Sequence, residues 1–115
     1  MTLFKCALLA SSLIFSVNAV AHGNIKETYP RDGDMLMSQA ERVELHFEAP
    51  MKVISLKVEN YAGKEIDVKF DRNAPDAKVF KAMLPKLRAD NYFVKWRAMG
   101  KDGHTVKGKY GFMQH

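Results

Sequence analysis

The stretch Tyr92-Phe93-Val94-Lys95-Trp96-Arg97-Ala98-Met99 alternates strictly, with Tyr92, Val94, Trp96 and Ala98 on one phase and Phe93, Lys95, Arg97 and Met99 on the other. A period of two is the pleat of a β-strand; a helix would need apolar residues at every third or fourth position. The same period recurs on both sides of this stretch. Val43, Leu45 and Phe47 oppose Glu44, His46 and Glu48, and Ile54, Leu56 and Val58 oppose Ser55, Lys57 and Glu59. Phe80, Ala82 and Leu84 oppose Val79, Lys81 and Met83, and Val106, Gly108, Tyr110 and Phe112 oppose Lys107, Lys109 and Gly111. Weaker short strands are expected over 24–28 and 66–70. Turn signals punctuate the series at Pro30-Arg31-Asp32-Gly33-Asp34, Ala49-Pro50, Ala62-Gly63, Asn73-Ala74-Pro75-Asp76 and Lys101-Asp102-Gly103. About seven short strands, with turns roughly every 8–12 residues, predict an all-β antiparallel sandwich or barrel. Ser38–Arg42 alone has some helical flavour and is read as a turn. Leu87-Arg88-Ala89-Asp90-Asn91-Tyr92 resembles a tyrosine corner, a device of Greek-key sandwiches; an ordinary core tyrosine after a turn is the alternative, and Tyr92 is structural in either case.

Of the 115 residues, 1–21 read as an export signal that is removed. Lys5 supplies the positive start, Ala7–Val20 the apolar stretch, and Ala19-Val20-Ala21 the small residues of a cleavage site. Ser11, Ser12, Ser16 and Asn18 make that stretch too polar, and too short, for a bilayer span of about 20 apolar residues. Cutting after Ala21 leaves one domain over 22–115 with His22 at its N-terminus; a cut after Ala19 competes. The single cysteine, Cys6, falls in the removed segment, which excludes disulfides, cysteine-ligated zinc, iron–sulfur clusters and a cysteine nucleophile from the remaining domain. Loss of Lys5 leaves 17 basic residues against 13 acids, a net charge of +4. No two basic residues are adjacent and acids are interleaved throughout, so nucleic-acid binding, which needs a concentrated stripe of cations, is not expected.

Four histidines remain: His22, His46, His104 and His115. No Gly-rich phosphate loop and no Gly-x-Ser-x-Gly elbow accompanies them. A histidine at the N-terminus offers its α-amine and its imidazole to one ion, and the amine gives up its proton readily near neutral pH. Asp102-Gly103-His104 sets a carboxylate and an imidazole two residues apart. Both share parity with Val106, Tyr110 and Phe112, so both are expected to face the end of the barrel rather than open solvent. Three nitrogens and one oxygen in a near-square arrangement suit Cu(II). Spacing alone leaves an ordinary exposed Asp-Gly turn equally open. His46 falls on the wet phase between Glu44 and Glu48 and is expected to be solvated; His115 is expected to fray.

His22 after the signal, Tyr29-Pro30-Arg31-Asp32-Gly33, Val43-Glu44-Leu45-His46-Phe47, Tyr92-Phe93-Val94-Lys95-Trp96-Arg97-Ala98 and Asp102-Gly103-His104 with Gly108 and Phe112 resemble, in order, the CopC/PcoC copper-resistance family. The resemblance implies a periplasmic Greek-key β-barrel of cupredoxin or immunoglobulin-like kind that binds Cu(II) and catalyses nothing; a monomer is the default expectation for so small a carrier. It implies His22, Asp102 and His104 as the copper ligands, and a CopD-like membrane importer as a partner for delivery. A glutamate that some members add two residues beyond the His-Phe pair is replaced by Ala49, with Glu48 one place early. The Met-rich loop by which several members hold Cu(I) corresponds to Asn60-Tyr61-Ala62-Gly63-Lys64-Glu65-Ile66, which has no methionine. Met35, Met37, Met51, Met83, Met99 and Met113 are scattered, so one Cu(II) and no Cu(I) is expected. Two other readings compete. An N-terminal histidine paired with another on a β-sandwich also describes copper monooxygenases, but no aromatic platform for a polymer is evident here. A metal-free structural sandwich would show no stabilisation by Cu(II).

Overall fold

The structure is a computed structural model that describes residues 25–115, and the expected signal segment and His22 lie outside the described residues. Seven strands follow in order: β1 (Ile25–Tyr29), β2 (Met35–Leu36), β3 (Arg42–Asn60), β4 (Glu65–Ile66), β5 (Ala77–Met83), β6 (Asp90–Met99) and β7 (Thr105–Gln114). Each long alternating run is a strand, and the fold is the all-β sandwich that the alternation predicts.

One strand joins the two sheets. The first half of β3 pairs antiparallel with β1 (Tyr29 opposite Glu44) and with β5 (Leu45 opposite Phe80). Its second half pairs with β6 (Leu56 opposite Trp96) and with β4. Sheet two continues from β6 to antiparallel β7 and then to parallel β2. The turn expected at Ala49-Pro50 is therefore absent, and β3 runs through it. Proline is tolerated because the β5 ladder is interrupted between His46 and Met51, where no N–H is required. A bulge shifts register against β6 between Val53 and Ser55. The extra residue flips Ile54 outward, 41% exposed, while Val53 and Leu56 are buried; alternation alone had Ile54 facing inward. The strand expected over 66–70 reduces to two residues of β4 and one bridge, Lys69 opposite Met83.

The core takes Val43, Leu45 and Phe47 from β3, Ala82 from β5, Tyr92, Val94, Trp96 and Ala98 from β6, and Tyr110 and Phe112 from β7. Phe47 meets Trp96 edge to face at 5.7 Å between centroids, tying one sheet to the other. Tyr92 closes the expected corner, donating its hydroxyl to Arg88 O at 2.7 Å. Gln114 is a buried polar residue that the alternation passed over, although it continues the inward phase of Tyr110 and Phe112. Its Oε1 accepts from Ala40 N–H at 2.8 Å and its Nε2 donates to Ser38 O at 3.0 Å, pinning the segment between β2 and β3.

Gly108, opposite Trp96, has no side chain because the indole fills that space: a Cβ there would lie 2.6 Å from Trp96 Cε2. Gly108→Ala should therefore cost about 1–3 kcal/mol in urea denaturation, with the slope unchanged. The Tyr110 hydroxyl is buried without a hydrogen-bond partner among the described residues. Tyr110→Phe should leave stability unchanged or raise it in the same assay, since no hydrogen bond is lost and a desolvated hydroxyl is removed.

Candidate metal centre

β6 and β7 are joined by a tight hairpin at Gly100–His104. Gly103 N–H donates to Gly100 O at 3.0 Å, and Gly100 N–H donates to His104 O at 3.0 Å. Gly103 has φ +88°, the left-handed residue that closes a three-residue hairpin loop and that a β-carbon would strain. Asp102 folds over the turn: its Oδ1 accepts from His104 N–H at 3.0 Å, while its Oδ2 stands 2.8 Å from His104 Nδ1. The Asp-Gly-His spacing thus brings carboxylate and imidazole into contact.

Their surroundings differ from the expectation. Both residues precede β7 rather than belonging to it, so the inward phase of Val106 and Tyr110 does not extend to them. The His104 side chain is 87% exposed and that of Asp102 68%. The contact nonetheless sets their protonation. The hydrogen bond and charge of Asp102 raise the His104 pKa above its ordinary value, and the same hydrogen bond lowers that of Asp102. Among the described residues, no group of three His, Cys, Asp or Glu side chains is gathered to hold a metal ion. Asp102 and His104, two of the three expected ligands, are thus brought into contact, and His22, the third, lies outside the described residues.

The other histidines are engaged elsewhere. His46 is not simply solvated: its Nε2 lies 2.8 Å from Glu44 Oε1, and Glu44 also pairs with Arg42. The bond from Arg42, then that from His46, lowers the Glu44 pKa. The Arg42 guanidinium in turn lies 4.5 Å from the Tyr29 ring centroid, so the row is braced across β1 and β3. Glu48 is exposed. The His115 side chain is exposed, while its backbone N–H donates to Leu36 O at 2.9 Å and so extends the pairing with β2.

Two clusters were invisible along the sequence. Register aligns Lys57, Lys95 and Lys109 in one cross-strand row, with Arg97 and Lys107 in the next. Evenly spaced cations are thereby gathered on one sheet face, where Lys95 leans to Glu59 at 3.1 Å and Lys109 lies over Phe93. Among the described residues, Arg97 pairs with no acid. Register also sets Met35 beside Met113, so these two methionines are scattered only in sequence.

A model of the CopC domain family matches residues 25–115. Copper resistance protein C of Escherichia coli is 24% identical over 124 aligned positions, covering 97% of this chain and 98% of that protein. Among solved structures, CopC from Methylosinus trichosporium OB3b superposes with a TM-score of 0.67 at 24% identity, covering 78% of this chain and 90% of that one. PcoC, a methionine-rich copper resistance protein from Escherichia coli, gives 0.66 at 20% identity over 80% of this chain and 97% of its own.

The contact between Asp102 and His104 has a pH window. Because the His104 pKa is raised, the ion pair is complete below the ordinary histidine value of about 6.5 and is lost as pH rises through the raised one. Because the Asp102 pKa is lowered, the pair is complete above the ordinary carboxylate value and is lost as pH falls through the lowered one. Asp102→Asn in the metal-free protein should return the His104 titration, followed by NMR of its ring protons, downward to the ordinary histidine value.

Proposed function

The chain belongs to the CopC domain family, and on that footing we propose that it is a periplasmic copper carrier that binds one Cu(II) through His22, Asp102 and His104. The observation that carries this reading is the hairpin tip, where two donors of the right kind already touch. Two ligands about 2.0 Å from an ion and at right angles to each other stand about 2.8 Å apart, so the pair fits adjacent corners of a square. Copper would displace the proton that the two side chains share.

Position along the sheets supports His22 as the ligand that completes the set. Ile25 is opposite Phe47, and β1 followed backward heads along β3 toward Pro50 and Met51. Met51 Sδ is 3.6 Å from the place of a Cβ on Gly100, the first residue of the hairpin. His22 precedes Ile25 by three positions in the sequence, a reach of at most about 10 Å. The amine and ring of a chain starting at His22 would add two nitrogens to the nitrogen and oxygen already in contact.

Exposure of both donors favours carriage over catalysis. A partner can approach copper held at an exposed tip directly, and the Asp102 carboxylate is the weakest donor and the natural one to exchange. Delivery to a CopD-like membrane protein, or sequestration, follows from such a site; the charge state of the cargo follows from the donors.

The reading is tested by Cu(II) titration against a competing chelator, using protein that starts at His22 and protein that keeps Val20-Ala21 in front of it. We expect one tight equivalent in the first, a loss of at least tenfold in affinity in the second, and a comparable loss in His104→Ala. Equal binding by both N-terminal forms would remove the amine from the site, and no binding by either would remove the function.

A further inference from the structure

The outward face of β3, β6 and β7 carries nearly one sign of charge. Lys57, Lys95 and Lys109 are register partners across the three strands, and two residues further along the sheet Ser55, Arg97 and Lys107 form the next row. All five cations are exposed. Together with Ser55 they line an open hollow of about 490 Å³ into which no carboxylate is set. Glu59, next along β3, engages Lys95 at 3.1 Å. Among the described residues, Lys57, Arg97, Lys107 and Lys109 are in no ion pair. The cations stand at sheet spacing, about 4.8 Å from strand to strand and about 7 Å from row to row.

Like charges placed directly opposite each other weaken a sheet. Two such rows, offset by a single acid, serve no purpose inside the molecule, and they are complementary to an anionic surface outside it. Composition decides which kind of surface. A protein partner is gripped at a desolvated centre by aromatic and arginine anchors, where lysine is depleted. Here four of the five cations are lysines. Phe93, on the outward phase of β6, is half-buried beneath Lys109, whose Nζ lies 5.3 Å from the ring centroid. A lysine ammonium is a strongly hydrated point charge on a flexible stem. It suits lipid headgroup phosphates, which present charge at no fixed spacing and require no dry contact. Each cation held near an anionic bilayer strengthens attachment about fivefold.

We infer that this face of β3, β6 and β7 is a docking surface for an anionic phospholipid bilayer. The inference rests on charge and register and does not depend on the copper reading. It bears on that reading through position: the Arg97–Lys107 row lies two residue pairs from the end of the β6–β7 ladder at Met99 and Thr105, and Lys101 is exposed on the hairpin itself. A molecule docked by this face holds the hairpin tip alongside the headgroups, where a membrane protein is met by diffusion in two dimensions.

The test is co-sedimentation of metal-free protein with vesicles of phosphatidylglycerol or of phosphatidylcholine. The protein starts at His22, so that the apolar stretch 7–20 cannot itself insert; all seven strands lie within 25–115. Binding to phosphatidylglycerol alone is expected, falling steeply as salt rises from about 0.05 to about 0.5 M. Lys57→Gln/Arg97→Gln/Lys107→Gln should bind about 100-fold more weakly, about fivefold for each cation removed. Lys26→Gln/Lys69→Gln/Lys78→Gln removes the same charge from exposed positions on β1, on β5 and at the bridge beside β5, and should bind within a few-fold of the parent. Urea denaturation should show both variants folded, the first no less stable than the parent because like charges have been taken apart. No binding by the parent, equal binding to both lipids, or equal loss in both variants would each overturn the inference. So would capture of soluble polyglutamate by this face without binding to phosphatidylglycerol, which would assign it to an acidic protein.

Discussion

Strand β3 has to serve two sheets at once, and the remaining architecture depends on how it does so. Its first half is paired on both edges, by β1 and β5, and its second half by β6 and β4. Two interruptions let one chain do both: the gap around Pro50 on the β5 side and the bulge at Ile54 on the β6 side. Each relaxes the ladder where the strand must turn from one sheet to the next. Phe47 lies just before this passage, and its edge-to-face contact with Trp96 holds the two sheets face to face at that point. Gly108 on β7 then makes room for the indole, so the crossing on β3 governs a residue choice two strands away.

The crossing also positions the hairpin. Lys52 pairs with Met99, which delivers Gly100 to Met51 at the elbow of β3. β1 pairs with the first half of the same strand, Ile25 opposite Phe47, so β1 and the tip of β6–β7 both lie along β3 near its elbow. A hairpin that projected from a free sheet edge would have no such neighbour. Asp102 and His104 are then oriented locally: the left-handed Gly103 and the Asx-type bond to His104 N–H turn both side chains toward each other.

What could be read along the chain was whatever a residue does with its near neighbours. Alternation in Tyr92–Met99 and Thr105–Gln114 locates β6 and β7, Leu87–Tyr92 announces the corner, and Lys101-Asp102-Gly103 announces the turn. What could not be read depends on register, which couples residues far apart in sequence. Lys57, Lys95 and Lys109 look evenly diluted until three strands align them. Met35 and Met113 look unrelated until β2 joins β7 in parallel. Ile54 follows the inward phase by counting, and only the bulge turns it out. The exposure of Asp102 and His104 was missed for a related reason: parity counted back from Val106 holds within a strand and fails at the turn, where alternation stops.

Leaving the donors outside the core separates two demands that otherwise conflict. An ion pair or metal site buried among Val43, Leu45 and Val94 would carry a desolvation penalty of several kcal/mol per charge whenever the ion was absent. At the hairpin tip that penalty is small, because water solvates Asp102 and His104 in the metal-free state. Stability therefore resides in the sheet interior, the Phe47–Trp96 contact and the Gln114 bonds, and an ion at the proposed site could come and go without opening the fold. The same exposure limits what the tip can do by itself: two solvated donors on a turn hold an ion weakly, so tight binding has to come from closing a chelate with a further segment of chain. In the copper site proposed above, affinity then depends on where that segment begins, so that the position of the N-terminus, rather than the packing of the sandwich, is the variable on which binding would turn.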